Sequence, residues 1–254
     1  MSDVDGFWAA LPLGRNVTLL QRDANGLAAF AKPAGVLSHP NEAGEERRAL
    51  LGARYVLDGE FFEWTDGAGR ARRLWLLNRL DSATSGVIMA ADSAELALEI
   101  RAHFKRKRVH KVYQALVFGV PREIGEEWRD RLVVAKHGGQ IRTAAHAGHV
   151  PAECRMSLVR TGVGATRLAL LRLEPRTGRS HQLRVQCAKR HLPIIGDQTY
   201  GDFAHNRVFA KRAGTKRLFL HSLETAFDYE YRGQSHTFKA TAPLPEEFEH
   251  ALGR

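Results

Sequence analysis

Asp81 is the one acidic residue between Gly67 and Ala91. It sits in the run Asn78-Arg79-Leu80-Asp81-Ser82-Ala83-Thr84-Ser85-Gly86, with Arg70, Arg72, Arg73 and Arg79 ahead of it. Cations beside a carboxylate favour its charged form, and a charged Asp can act as nucleophile or base. The same residue could instead make only a turn hydrogen bond to its own backbone. A metal role fits poorly, since hard cations want several oxygen ligands and no second carboxylate lies nearby. A second segment, Thr177-Gly178-Arg179-Ser180-His181-Gln182-Leu183-Arg184, crosses from a loop into a helix start, where unpaired N–H groups favour anions. His181 and Arg184, three apart, share a helix face there, although the segment also reads as a solvated basic helix start. His146, His149 and Cys154 have loosely ligand-like spacing, but a structural zinc site needs a fourth ligand, so no metal is expected.

These groups need elements to hold them. Val17–Ala31 reads as two short strands around the turn Asp23-Ala24-Asn25-Gly26, ended by Lys32-Pro33-Ala34-Gly35. Residues 41–73, rich in Glu, Arg and Gly around Phe61, Phe62 and Trp64, read as an irregular excursion with room for a hairpin. The apolar runs Leu74–Leu77 and Val87–Ala91 flank Asn78–Gly86, which is therefore a loop. Asp92 and Glu95 have capping-box spacing, so a helix is expected to about Arg108, with Ala97, Ile100 and Phe104 on one face. Val109–Phe118 alternates as a strand and puts Lys111, Tyr113 and Ala115 on one side. Thr166–Glu174 reads as a strand closed by Pro175, and Ser180 can cap a helix to about His191. Pro193–Gly201 is a tightly shaped turn. Arg217–Tyr231 and Ser235–Ala240 suggest a closing strand pair. Strands dominate without βαβ alternation, which indicates an α+β fold with a mixed, largely antiparallel central sheet and flanking helices.

The chain has 254 residues, 44% of them hydrophobic, enough for one large domain or two small ones. A single catalytic domain over 1–254 is expected. Lys and Arg number 38 against 28 Asp and Glu, a formal charge of +10. That balance points to a polyanionic partner, with nucleic acid first; solubility alone is the bland alternative. The cationic stretches at 105–111, 189–190 and 211–217 are the places to hold phosphates. Two cysteines exclude a disulfide framework. No apolar run reaches the ~18 residues of a membrane span, and Asp3 and Asp5 replace the positive start of a secretory signal. A cytoplasmic protein with no membrane partner is expected.

Taken in order, the motifs resemble those of the RluA-type RNA pseudouridine synthases. Phe30-Ala31-Lys32-Pro33-Ala34-Gly35-Val36-Leu37-Ser38-His39-Pro40 is similar to that family's first motif. Arg79-Leu80-Asp81 with Thr84-Ser85-Gly86 matches the second, placing Asp81 at the catalytic aspartate. Lys111-Val112-Tyr113-Gln114-Ala115 matches the segment with the active-site tyrosine, and Thr177–Val185 the third motif, with Arg184 at the aspartate-pairing arginine. Leu218–Leu223 and Phe238-Lys239-Ala240 resemble the closing strands. The resemblance runs from about residue 17 to 248. Three features depart from it: Asn78 stands where the family usually has His, residues 41–73 align with no family motif, and the first motif begins too early for the small S4-like RNA-binding domain that many relatives carry.

The resemblance implies a pseudouridine synthase fold and isomerisation of uridine to pseudouridine in ribosomal or transfer RNA, with no cofactor and no metal. Asp81 would attack the sugar or remove a sugar proton. Arg184 would hold that carboxylate in a bidentate pair, and Tyr113 would pack on the uracil. Arg79 would fill the space the flipped base leaves, and Thr84, Lys111, Arg179 and His181 would bind substrate. A monomer is expected. Two other readings are a catalytically silent RNA-binding or ribosome-assembly factor on this scaffold, which the intact Asp81, Tyr113 and Arg184 set opposes, and a metal-dependent nuclease, which the missing carboxylate cluster opposes.

Overall fold

Asp23 Oδ1 accepts from the N–H groups of Asn25 and Leu27 at 2.9 and 3.0 Å, and Gly26 adopts φ +94°. A side chain on Gly26 would also collide with the Asp92 carboxylate. This turn joins β1 (Thr18–Arg22) to β2 (Leu27–Lys32), as the sequence predicts. The computed structural model describes residues 3–137, 140–144, 149–163 and 167–253. They divide into two compact units: Met1–Val109 with Ala226–Ala242, and His110–Thr225 with Pro243–Arg254.

The first unit begins with α1 (Asp3–Ala9), whose Phe7 and Trp8 are buried. Residues 41–73 are more regular than expected. After a 3₁₀ turn at Glu46–Arg48, β3 (Arg54–Val56), β4 (Phe61–Thr65) and β5 (Ala71–Leu76) form an antiparallel meander. Its charged residues obscure the alternation because they pair with one another: Glu63 faces Arg54 and Arg73, and Asp66 binds Arg70 and Arg72 at 3.0 and 2.8 Å. Every residue of β6 (Ser85–Ala91) is buried. β2 pairs along β6 from Leu27 opposite Ala91 to Lys32 opposite Gly86, whereas β5 meets it only at Ala90 and Ala91. In α2 (Ala94–Lys105), Ser93 rather than Asp92 supplies the cap, its Oγ accepting from Leu96 N at 3.4 Å. Leu96, Ala97 and Ile100 reach the core, which Phe227, Tyr229 and Phe238 complete, while Phe104 is partly buried.

The second unit is built on β7 (His110–Phe118), β8 (Gly125–His137), β9 (Gln140–Ala144), β10 (Val150–Thr161) and β11 (Leu168–Pro175). Their antiparallel order is β7-β11-β10-β8-β9. The expected helix from Ser180 is shorter, α3 (Gln182–Lys189), because His181 takes a left-handed φ of +54° with no side-chain cap bond. Two further helices, α4 (Phe203–Ala213) and α5 (Glu246–Ala251), were not apparent in the sequence. The closing strands are β12 (Leu220–Tyr231), inside which the two units divide, and β13 (Gln234–Thr241). The fold is α+β, a mixed and largely antiparallel sheet with few helices. Among the described residues no helix is long and apolar enough to cross a membrane.

Candidate active site

In the first unit, the loop from β5 to β6 is held from both sides of Asp81. The buried Ser38 hydroxyl donates to Leu80 O at 2.7 Å and accepts from Leu80 N at 2.9 Å, fixing the residue before the carboxylate. Ser82 O, one residue after it, accepts from Gly35 N at 2.8 Å and from Lys32 Nζ at 3.1 Å. Thr84 N donates to Asp81 O at 3.0 Å and closes the turn. Asn78 steadies the loop's start: its Oδ1 accepts from Met89 N at 2.8 Å, while Leu77 N donates to Met89 O at 3.0 Å. Asn78 thus binds the backbone of β6, a role that does not call for an imidazole.

Lys32, at the end of β2, is the cation the sequence reading passed over. It is 1% exposed, and its Nζ also donates to Pro33 O and Val36 O at 3.1 and 2.7 Å. Burial pushes its pKa down to about 7, against the opposing pull of the Asp81 charge. The arginines expected around Asp81 are partly elsewhere, since Asp66 takes Arg70 and Arg72 and Glu63 takes Arg73. Arg79 is exposed and lines a cleft of about 200 Å³ together with Ser38, His39, Asn41 and Asp81. His39 stacks on Tyr55 with ring centres 4.5 Å apart and planes 7° from parallel. Tyr55 is pushed up to about 12, chiefly by burial and also by Glu60, against the charges of Arg79 and Arg101. Thr84 is buried, so the contribution it makes here is to the turn.

In the second unit, Arg184 on α3 forms a buried fork with Asp197: Nε to Oδ2 and Nη2 to Oδ1, each 2.8 Å. Asp197 Oδ1 also accepts from Thr199 N and Tyr200 N at 2.8 and 3.0 Å. Burial works to raise the Asp197 pKa, but Arg184 and these two N–H groups hold it below the ordinary carboxylate value. The sequence reading expected the bidentate partner of Arg184 to be Asp81; the Nε–Nη2 edge belongs to Asp197. The signal was available, since Asp197 is the one acid between Glu174 and Asp202. Arg184 also lies 5.2 Å over the Tyr200 ring, and the Tyr200 hydroxyl meets His181 Nδ1 at 2.9 Å.

Gln182 orders the approach to α3, its Oε1 accepting from Thr177 Oγ1 at 2.7 Å and from Arg179 N at 3.1 Å. The exposed Arg179 donates from Nε to Pro151 O at 3.3 Å. Tyr113 is half-buried on β7 opposite Leu173. Lys111, two residues earlier, has its pKa lowered by burial, and its Nζ would lie 3.7 Å from a Cβ placed on Gly178. The cations at 189–190 do not await phosphate: Lys189 and Arg190 bind Asp130 at 2.6 and 2.9 Å. Of the loosely spaced metal candidates, His146 lies outside the described residues. Cys154 is buried, which pushes its thiol up to about 12. Among the described residues no group of His, Cys, Asp and Glu could hold a metal. The expected site residues therefore fall into two sets, Arg79, Asp81 and Thr84 in the first unit and Lys111, Tyr113, Arg179, His181 and Arg184 in the second.

Comparison with known proteins identifies the family. A family model described as RNA pseudouridylate synthase matches residues 26–189. The tRNA pseudouridine synthase C of Vibrio cholerae is 32% identical over 222 residues, covering 84% of this chain and 86% of its own. That of Haemophilus ducreyi is 30% identical over 231 residues, covering 87% and 89%. Among solved structures, human RNA Pseudouridylate Synthase Domain Containing 1 superposes with a TM-score of 0.66 at 20% identity, covering 93% of this chain and 87% of that one.

Proposed function

Because the chain belongs to the RNA pseudouridylate synthase family and is a pseudouridine synthase, we propose that it modifies a uridine in transfer RNA and that Asp81 is its catalytic carboxylate. The observation that carries the second part is the double anchorage of the loop. Leu80 and Ser82 are each fixed by hydrogen bonds, so the side chain between them is oriented beside the cleft at no entropic cost during reaction. The choice of transfer RNA rests on the names of the relatives.

The reaction is an isomerisation. The N1–C1′ bond breaks, the uracil turns, a C5–C1′ bond forms, the C5 proton leaves, and N1 takes up a proton. Nothing is oxidised or reduced. Asp81 in its ionised form begins it, either by bonding to C1′ as N1 leaves and being displaced when C5 joins C1′, or by taking a sugar proton that it returns as that bond forms. The target base must leave its stack to reach a carboxylate in a cleft, which costs a few kcal/mol; Arg79, exposed on the cleft wall, offers a flat guanidinium for the vacated space. Tyr113 packs on the uracil in this reading and helps to remove the C5 proton. The motif resemblance gives Arg184, whose Nε–Nη2 edge Asp197 holds, its place in this reading. Lys111, Arg179 and His181 bind the substrate.

Unmodified transfer RNA incubated with the wild type and with Asp81→Asn, followed by pseudouridine mapping, tests this. New sites with the wild type alone are the expected result. RNA binding without new sites from either protein would make the chain a silent RNA-binding factor. Undiminished modification by Asp81→Asn would remove the carboxylate from the chemistry.

A further inference from the structure

We infer that the outward face of α4 is a docking surface for the RNA phosphate backbone, separate from the catalytic residues; this rests on the RNA-modifying reading above. The helix is anchored by its other side. Asn206 is buried, and Phe209 packs its ring against Phe118 and Phe219 at 6.1 and 5.4 Å. At about 100° per residue, the opposite side carries Ala204, Arg207, Val208 and Lys211, all exposed. Val208 is 60% exposed and Phe203, one turn before Arg207, 52%.

From Phe203 to Arg217 there is no acidic residue, while Arg207, Lys211, Arg212, Lys216 and Arg217 are all basic. Several other cations of the unit have acidic partners: Lys189 and Arg190 bind Asp130, Arg176 binds Glu127, Arg160 binds Glu249 and Arg217 binds Glu247. Among the described residues, neither Arg207 nor Lys211 has an acidic partner. Cations one turn apart beside exposed apolar groups suit a polyanion that also offers sugar and base surfaces, which is nucleic acid. The helix is rigidly placed for this purpose. Asp202 caps it through His205 N at 2.9 Å, and Gly214 ends it at φ +67°. Asn206 ties it to the turn bearing the partner of Arg184, accepting from Gly196 N at 2.8 Å and donating to Asp197 O at 3.0 Å. RNA held on α4 is therefore held by an element bonded directly to that turn.

The test compares the wild type with the double variant Arg207→Ala/Lys211→Ala on a full-length transfer RNA transcript. It measures kcat, KM and the salt dependence of Kd, with thermal melting as the check on folding. Two lost phosphate contacts should reduce the slope of log K against log salt by about 1.4 to 1.8. KM should rise several-fold while kcat and the melting temperature stay as in the wild type. An unchanged slope and KM in a folded, active variant would overturn the inference and leave the catalytic reading intact. A wild type that neither binds nor modifies the transcript would bring down both. A wild-type dimer dissociated by Val208→Asp would assign the face to a second copy of the chain and likewise refute RNA docking.

Discussion

Asp197→Asn should damage the enzyme without touching any residue of the family's catalytic motifs. The substitution is nearly isosteric, so its effect can be worked out atom by atom. Oδ1 accepts three bonds, from Arg184 Nη2, Thr199 N and Tyr200 N, and an Asn oxygen in that place keeps them. Oδ2 accepts from Arg184 Nε at 2.8 Å, and there the Asn amide would set N–H against N–H. One charge-assisted bond, worth about 1.5–3 kcal/mol, is lost, and the buried guanidinium loses its counter-charge. Breaking one side of a buried pair costs about 3–5 kcal/mol. We therefore expect about 3 kcal/mol of destabilisation, or about 6–12 °C in Tm for a chain of this size. The pH dependence fixes the cause. The folded pKa of Asp197 lies below the ordinary value, so its contribution is complete above the unfolded pKa of about 3.9 and is lost as pH falls through the folded value. The difference between wild type and variant should be constant at neutral pH and shrink in acid. Thermal or urea unfolding from pH 7 down to pH 3 measures it. A variant within 1 kcal/mol of wild type at pH 7, or a difference that does not shrink in acid, would refute the assignment of Asp197 as the ionic anchor of Arg184.

Further substitutions probe the first unit. Lys32→Met leaves three carbonyls without their shared donor and should lower kcat about tenfold through a displaced Asp81 loop. Because the folded Lys32 pKa is about 7 and the unfolded one 10.5, the unfolded chain binds more protons between those values, so wild-type stability rises with pH across that window. The Met variant should lack the rise, and equal slopes would contradict the buried-cation account. Ser38→Ala strands both polar groups of Leu80 and should cost about 2 kcal/mol and lower kcat more than KM; steady-state kinetics with normal turnover would show that the loop needs no such clamp. Burial and the nearby Asp23 raise Asp92 to about 6, so wild-type stability falls as pH climbs from about 4 through 6. Asp92→Asn should be the more stable protein at pH 8 by on the order of 1 kcal/mol, after allowance for the partial exposure of the group. A melting curve with the wild type ahead at pH 8 would contradict this.

The loop around Asp81 was legible because its flanking apolar runs become β5 and β6 and because a lone acid in basic surroundings is conspicuous. The same logic, applied to the stretch before Asp202, would have found Asp197. Lys32 was harder to see, since a Lys closing the apolar run Leu27–Ala31 looks like a solvated strand end. Only the fold shows that Pro33, Val36 and Ser82 turn their carbonyls onto it. The meander at 54–76 shows in the sequence only as room for a hairpin because its alternating charges pair across strands and dilute the apolar period. In α4 the periodic signal was weaker still, with Asn206 on the buried side and Val208 in solvent.

Net charge taught less than the pairing of charges. An excess of +10 indicates a polyanionic partner but not where it docks. The basic runs at 189–190 and 211–217 look equivalent in the sequence, yet Asp130 neutralises the first. The second continues a helix face whose Arg207 and Lys211 meet no carboxylate among the described residues. A carboxylate placed by folding thus decides which cations build the protein and which remain to hold RNA. It follows that charge reversal at 189–190 should act through stability, by stranding Asp130, whereas reversal on α4 should act through affinity. Measuring melting temperature and salt-dependent binding on the two variants side by side separates these effects, and loss of the same quantity by both variants would refute the distinction.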